Sequence, residues 1–398
     1  MKLDSALLIG AALSFATAAF AEVSTGHPFY GDPPDETHAW CVHDQNRPQP
    51  KLVKPRPASE LEAKAKPPAG AIILFDGNEA CMSKWCSDKT PNESTKWIVR
   101  DGNMECVPKS GYVRTKEEFA DCQLHVEWAA PTPPQGDSQG RGNSGIFLMG
   151  MVEIQVLDNF DNPTYADGFA CSMYGVSPPL ANALRPPGEF QFVDITFHRP
   201  IYKDDKCVDP GWVTVYCNGV LMQDHQQIEG PTGHMRRPKP CAFPEKGPLK
   251  LQDHGNPVRF RNIWYCPLDP AKAGAPKHGP MTAKATAAKR KELAAMVRKD
   301  AAGKPANSVE QMLRFAESLV YEKDAATCQK VEQMAGQYLA GVKQLPADQI
   351  ASKKDEVLQV DKDFKYLAKW NIVPDDFGPK VEIGKLVKEQ GWDKKPKK

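Results

Sequence analysis

Residues 142–158 read GNSGIFLMGMVEIQVLD, two short apolar-rich runs on either side of a glycine. Apolar and polar side chains that alternate over five or six residues mark a half-buried strand. Gly150-Met151, between Ser144–Met149 and Val152–Leu157, predicts a β-hairpin closed by a two-residue type II′ loop. That register sets Met149 opposite Val152 and Leu148 opposite Glu153. It assigns Phe147, Met149, Val152, Ile154 and Val156 to the core. Ser144, Ile146, Leu148, Glu153, Gln155 and Leu157 fall on the other face. A solvated face would carry more Lys, Thr and Glu. Glu153 and Gln155 among apolar neighbours, with Asn143 and Asp158 at the ends, suit the floor of a groove.

Outward from the hairpin, residues 71–268 keep the same texture. AIILF, KWIVR, NMECV and CQLHVEWAA precede it; FQFVDITFH, VTVYC, VLMQD, GPLKLQDH and VRFRNIWY follow. Asn218-Gly219 between two alternating runs is a strong type I′ hairpin signal. Many short strands without helical period predict an all-β sandwich of the jelly-roll kind. A second polar constellation closes this region. Reading Gly255-Asn256 as a hairpin turn puts Gln252 opposite Arg259 and Lys250 opposite Arg261. One face then gathers Lys250, Gln252, His254, Arg259 and Arg261 as an opposite bank to Glu153. A wet outer face is the plainer account of Lys250 and Arg261.

The ends differ in composition. MKLDSALLIGAALSFATAAFA, residues 1–21, has Lys2, an apolar run and an Ala19-Phe20-Ala21 cleavage pattern, so it reads as a secretory signal peptide. No other run approaches membrane-spanning length, so an exported protein without a transmembrane anchor is expected. Residues 22–70 are Pro-rich and read as an irregular arm. Within it, HAWCVHDQNRP is too aromatic for a free linker and is expected to dock, with His38 and His43 as minor metal candidates. After a linker at 269–283, residues 284–398 show helical spacing and predict a bundle of three or four helices with a Lys-rich tail. Met312, Phe315, Leu319, Val331, Met334, Tyr338 and Leu339 are its core stripe.

Net charge is +1 over 398 residues, yet residues 271–398 carry 25 Lys and Arg against 17 Asp and Glu, net +8, leaving 26 against 33, net −7. The basic helical part is a candidate surface for a protein partner. Nothing in it suggests nucleic acid. Eleven cysteines in an oxidising compartment suggest disulfides, with Cys81/Cys86, Cys106/Cys122 and Cys207/Cys217 as sequence-near pairs. There is no CxxC pair for a cysteine metal site.

LFDG, WIVRDGNMECVP, TKEEFADCQLHVEW, GRGNSGIFLMG, EIQVLD, RPPGEFQ, ITFHRP, VTVYCNGV and LQDHGNPVRFRNIW occur in this order over residues 70–268. The series resembles the 3-keto-disaccharide hydrolase family, whose members are also described as 3-keto-glucoside 1,2-lyases and 3-keto-2-hydroxy-glucal hydratases. Two departures stand out: Phe169–Tyr174 where relatives carry an AGALYG segment, and Phe190 in place of a common Trp. The resemblance implies a concanavalin-like β-sandwich and a 3-keto-glycoside substrate. It also implies removal of the acidified hydrogen on carbon 2, expulsion of the glycosidic oxygen on carbon 1, and hydration. Glu153 and His254 are the candidate acid and base, in either order. Asn143, Gln155, Asp158, Gln252, Arg259 and Arg261 are the candidate substrate-binding residues. No cofactor is assigned from these residues. A divalent cation on Asp76 or Asp158 is an open alternative, since hard cations prefer carboxylate oxygen.

Two rivals stay open. The spacing of Glu153, Gln155 and Asp158 resembles that of some sandwich glucanases, but direct hydrolysis needs a second carboxyl about 5–5.5 or 6.5–9.5 Å away. Gln155 stands where that carboxyl would be. The other rival is a carbohydrate-binding module without turnover, because the fold hosts both.

Overall fold

A computed structural model describes residues 28–393. The signal peptide expected at residues 1–21 and the end of the Lys-rich tail lie outside the described residues. The all-β sandwich is present, followed by a C-terminal helical region.

Two antiparallel sheets form the sandwich. One has eight strands, in the order Val220–Gln227, Trp212–Cys217, Gln191–His198, Cys122–Ala129, Arg259–Pro267, Asn103–Glu105 and Ile98–Arg100, with Ile72–Phe75 also paired to Arg259–Pro267. The other runs Trp85–Ser87, Val113–Phe119, Gly247–Leu251, Ser144–Leu148, Val152–Val156. Between them lies one continuous apolar core that includes Leu124, Val126, Trp128, Ile146, Leu148, Val152, Ile154, Val156, Leu249, Leu251 and Phe260. Burial of this kind contributes about 25 cal/mol per Å² of apolar surface and drives the two sheets together. Asn218 and Gly219 take φ of 51° and 74° and join strands paired Cys217↔Val220, as the type I′ signal predicts.

The opening hairpin exists, but its register differs by one residue. Leu148 pairs with Val152, Phe147 with Glu153 and Gly145 with Gln155. The loop therefore has three residues, Met149-Gly150-Met151, with φ of 51° at Met149 and 67° at Gly150. Met149 leaves the strand because its side chain is drawn into the core against Gly247, where an added Cβ would stand 2.9 Å from the Met149 Cβ. A one-residue shift exchanges the faces of a strand. Ile146 and Leu148 are thus core, while Phe147 turns outward beside Glu153.

The expected second hairpin does not form. Gly247–Leu251 belongs to the five-stranded sheet and Arg259–Pro267 to the eight-stranded one, so Gly255-Asn256 lies in a crossing between sheets. The expected disulfides are also absent: all eleven cysteines are free thiols. The Cys81 thiol donates to Asp76 Oδ1 at 3.2 Å and that of Cys86 points to the Arg114 carbonyl oxygen. Cys217 lies beside Cys171 rather than Cys207.

After residue 282 there are six helices among the described residues, rather than three or four: Ala283–Gly303, Val309–Tyr321, Ala325–Lys343, Ala347–Ser352, Lys354–Lys369 and Gly378–Glu389. Pro305, Pro346 and Pro374 sit in three of the breaks, where a missing N–H ends helical bonding. Thr282, Ser308 and Asp324 cap the first three. Met312, Phe315, Leu319, Val331, Met334 and Leu339 are buried in a core shared with Phe29 and Cys41 of the arm.

The arm joins the two halves through buried hydrogen bonds. Asp167 accepts from the His43 N–H at 3.0 Å and from its ring Nδ1 at 3.2 Å, and Arg47 stands 3.9 Å away. On the helical side Tyr321 donates to Asp44 at 2.7 Å, and Glu317 accepts from Asn46 at 2.7 Å and from Gln45 at 2.9 Å. Tyr366 donates to the Gly31 carbonyl oxygen at 2.7 Å. Tyr321→Phe deprives buried Asp44 of a donor and is expected to cost about 1–3 kcal/mol, read as a lower urea midpoint at unchanged m-value.

Candidate active site

A cleft of about 790 Å³ opens over the outward face of the five-stranded sheet. Its floor is Phe147, Glu153 and Gln155; Asn143, Gln252 and His254 border it; Tyr30 of the arm, Tyr174 and the Thr232–His234 loop rise at its side. Among the described residues no Lys or Arg lines it.

Glu153 is held by its neighbours' backbones. Its N–H donates to Thr232 Oγ1 at 2.9 Å, and its carbonyl oxygen accepts from the Tyr174 N–H at 3.1 Å. The side chain lies over Gly145, where an added Cβ would meet Glu153 Oε1 at 2.4 Å and Phe147 at 2.8 Å. Loss of solvation by burial pushes its carboxyl up to about 8. At neutral pH it is an acid with a proton to give. Gly145→Ala drives that carboxyl out of place and is expected to lower turnover roughly 100-fold, as a misplacement of about 1 Å can. Steady-state kinetics with a thermal melt as fold control checks it.

Asn143 and Gln252 fit a ligand rich in hydroxyls. Asn143 Nδ2 donates to the Gln139 carbonyl oxygen at 2.8 Å, and Gln252 Nε2 to the Tyr112 hydroxyl at 2.7 Å. Their amide oxygens, Asn143 Oδ1 and Gln252 Oε1, are buried without a hydrogen-bond partner among the described residues. A buried acceptor left unpaired costs about 1–3 kcal/mol, which a donating ligand hydroxyl recovers. Gln155 Nε2 donates to Gln139 Oε1 at 3.0 Å, so Gln155 shapes the floor.

Four of the residues expected in the groove have other work or other places. Arg259 and Arg261 lie on the eight-stranded sheet: Arg261 Nε donates to Glu127 Oε2 at 2.6 Å and its guanidinium stacks on Phe190, while Arg259 donates to the Gly188 carbonyl oxygen. Lys250 pairs with Asp88 at 2.9 Å. Asp158 is buried against Arg141, 2.9 Å from its Nε, and is not part of the cleft lining. His254 borders the cleft but is exposed. A cation on Asp76 or Asp158 finds no donor set. Asp76 Oδ1 is occupied by the Asn78 N–H and the Cys81 thiol, and the described residues gather no group of three or more His, Cys, Asp or Glu able to hold a metal. His38 is engaged by Asp35 and Glu229 instead, and His43 by Asp167.

Sequence reasoning missed a chain of ring side chains. Tyr165 and Tyr174 hydroxyls are 2.7 Å apart, Tyr174 Oη is 3.0 Å from His234 Nδ1, and Tyr30 Oη is 2.9 Å from His234 Nε2. Burial, then the nearby His43 and His254, hold His234 below the usual histidine range, so it is neutral at pH 7. These residues come from irregular segments and show no period. The one available signal was the Phe169–Tyr174 departure, which lays Tyr174 along the edge of Val152–Val156 through Cys171 N–H to Gln155 O at 2.8 Å.

The family model of the 3-keto-alpha-glucoside-1,2-lyase-like domain matches residues 70–265. The chain belongs to this family. A 3-keto-disaccharide hydrolase of Bacteroides thetaiotaomicron is 23% identical over 239 residues, covering 50% of this chain and 79% of that protein. A candidate glycosyl hydrolase of Parabacteroides distasonis, solved as a crystal structure, is 42% identical, with a TM-score of 0.49 over 56% of this chain and 93% of the other. The carbohydrate-binding module CBM66 of Bacillus subtilis is 8% identical with a TM-score of 0.23, over 46% of this chain and 94% of the module. The family match ends at residue 265, before the helices begin.

Proposed function

We propose that this protein is an exported enzyme that cleaves 3-keto-glycosides by elimination across carbons 1 and 2 followed by hydration, with net hydrolysis. One observation carries this reading: Glu153, a buried carboxyl held protonated by its surroundings, at the floor of a cleft lined by no Lys or Arg among the described residues. A protonated carboxyl suits donation to a leaving glycosidic oxygen. The ketone at carbon 3 supplies the acidity at carbon 2, so no metal-bound nucleophile is called for. Tyrosine hydroxyls are the donors at hand for an enolate oxygen.

A conventional glycosidase is less well supported. Gln155 occupies the position beside Glu153, and Asp158 is ion-paired with Arg141. The carbohydrate ligand follows from the unpaired Asn143 and Gln252 oxygens together with the family. Export follows from Lys2 and the Ala19-Phe20-Ala21 pattern.

The test is a substrate pair. A 3-keto-glucoside is cleaved, and the same glucoside with an ordinary hydroxyl at carbon 3 is left intact. Equal or faster cleavage of the unoxidised glucoside would restore the glycosidase; binding of both without cleavage would leave a carbohydrate-binding module.

A further inference from the structure

We propose that the Tyr174–His234 pair is the proton acceptor for carbon 2, and that Tyr30, delivered by the N-terminal arm, is the positioning residue that sets the imidazole for this task. The proposal rests on the elimination reading above. Its basis is the continuous line of hydrogen bonds Tyr165–Tyr174–His234–Tyr30 at 2.7, 3.0 and 2.9 Å along the side of the cleft. Tyr30, Tyr165, Tyr174 and His234 all line the same cleft as Glu153. The pair is tied to Glu153 on both sides, since Tyr174 N–H donates to the Glu153 carbonyl oxygen and Thr232, two residues before His234, accepts from the Glu153 N–H.

A neutral imidazole between two phenols has one tautomer that works. Tyr174 donates its proton to Nδ1, and Nε2–H donates to the Tyr30 oxygen. The groups that face His234 are Tyr30 and His43 from the arm, Tyr174 from its own segment, and His254 from the end of the Gly247–Leu251 strand. With two further histidines close by and no carboxylate hydrogen-bonded to it among the described residues, His234 is kept as a base.

The steps balance. The C2–H bond breaks and its proton goes to the Tyr174 oxygen as the Tyr174 proton moves to His234 Nδ1. The electron pair forms the enolate at C2–C3, which collapses to C1=C2 with loss of the glycosidic oxygen, and that oxygen takes the Glu153 proton. In hydration a water oxygen bonds C1 and its proton returns to Glu153. Carbon 2 is reprotonated from Tyr174, which His234 refills. One water is consumed and the enzyme is restored.

The arm explains why helices outside the family domain matter to the site. Tyr30 is flanked by Phe29, which packs in the helical core, and by Gly31, whose carbonyl oxygen accepts from Tyr366. The helices therefore hold Tyr30 at the cleft.

The experiment uses the full-length protein and a 3-keto-glucoside in heavy water. It reads both cleavage and deuterium washed into C2 of recovered, uncleaved substrate. Glu153→Gln is expected to lose cleavage and retain C2 exchange within a few-fold of wild type. His234→Gln and Tyr174→Phe are expected to lose both by roughly 100-fold or more, with melting curves confirming the fold. Tyr30→Phe should slow exchange about tenfold, leave KM unchanged and shift the pH profile of exchange. Retained exchange in both His234→Gln and Tyr174→Phe overturns the relay, and so does loss of exchange in Glu153→Gln alone. An unchanged rate and profile in Tyr30→Phe overturns the positioning role. Failure of the elimination reading shows differently, as wild type that cleaves or binds without any exchange at C2.

Discussion

Glu153→Gln lowers kcat/KM for a 3-keto-glucoside by roughly 10²–10⁴, the usual contribution of a positioned proton donor, with substrate affinity within a few-fold of wild type. Gln keeps the shape of the side chain and its place over Gly145 but has no proton to release. The same substitution stabilises the fold at alkaline pH. The Glu153 carboxyl sits at about 8 when folded, above its ordinary value of 4.5, so the folded state holds an extra proton between these limits. Stability falls as pH rises through that window, by up to about 1.4 kcal/mol per pH unit. Wild type thus loses stability between pH 5 and about 8 to an extent that Glu153→Gln does not, and the two melting curves diverge with pH. Turnover by wild type declines above about pH 8 as the acid form is lost. A variant less active yet more stable at pH 8 is the signature of a group buried for function rather than for stability.

Asp167→Ala is the most damaging change outside the cleft. Asp167 is fully buried and accepts from both the backbone and the ring of His43, with Arg47 beside it. Burial pushes its carboxyl up, but His43 and then Arg47 outweigh this and hold it below the usual range. Removing one partner of a buried charged group leaves the others unpaired, at a cost of about 3–5 kcal/mol. Asp167→Asn keeps part of the hydrogen bonding and costs less. Because the folded carboxyl lies below its ordinary value, the stability it contributes is present near neutral pH and disappears as pH falls through the folded value. The gap between wild type and Asp167→Asn in urea unfolding therefore narrows in acid. The loss reaches the cleft too, since His43 Nε2 accepts from the Met235 N–H next to His234.

What could be read from residues alone follows where local pattern and tertiary context agree. Alternation along VEIQV assigned Glu153 and Gln155 to the cleft face and Val152, Ile154 and Val156 to the core, as observed. The preceding strand failed because Gly150 suggested a two-residue loop, whereas packing of Met149 against Gly247 takes Met149 out of the ladder. Arg259 and Arg261 were misplaced for a related reason. A Gly-Asn turn signals a change of direction, and nothing local distinguishes return in the same sheet from passage to the other. Cys81/Cys86 and the other near pairs failed because sequence proximity says little about which side of a sheet a thiol faces. Tyr30, Tyr174 and His234 are more than fifty residues apart in sequence and stand on irregular backbone, so only the assembled fold brings them together. The helical stripe was legible in its core positions; the number of helices was not, because short proline-bounded turns interrupt the period.

The most direct test of the elimination account is cleavage of a 3-keto-glucoside by wild type in heavy water, with the released 3-keto sugar compared with a no-enzyme control. Hydration of a C1=C2 intermediate predicts one deuterium bound to carbon 2. Full cleavage with only hydrogen at carbon 2 would contradict it and place the bond breaking at carbon 1 alone.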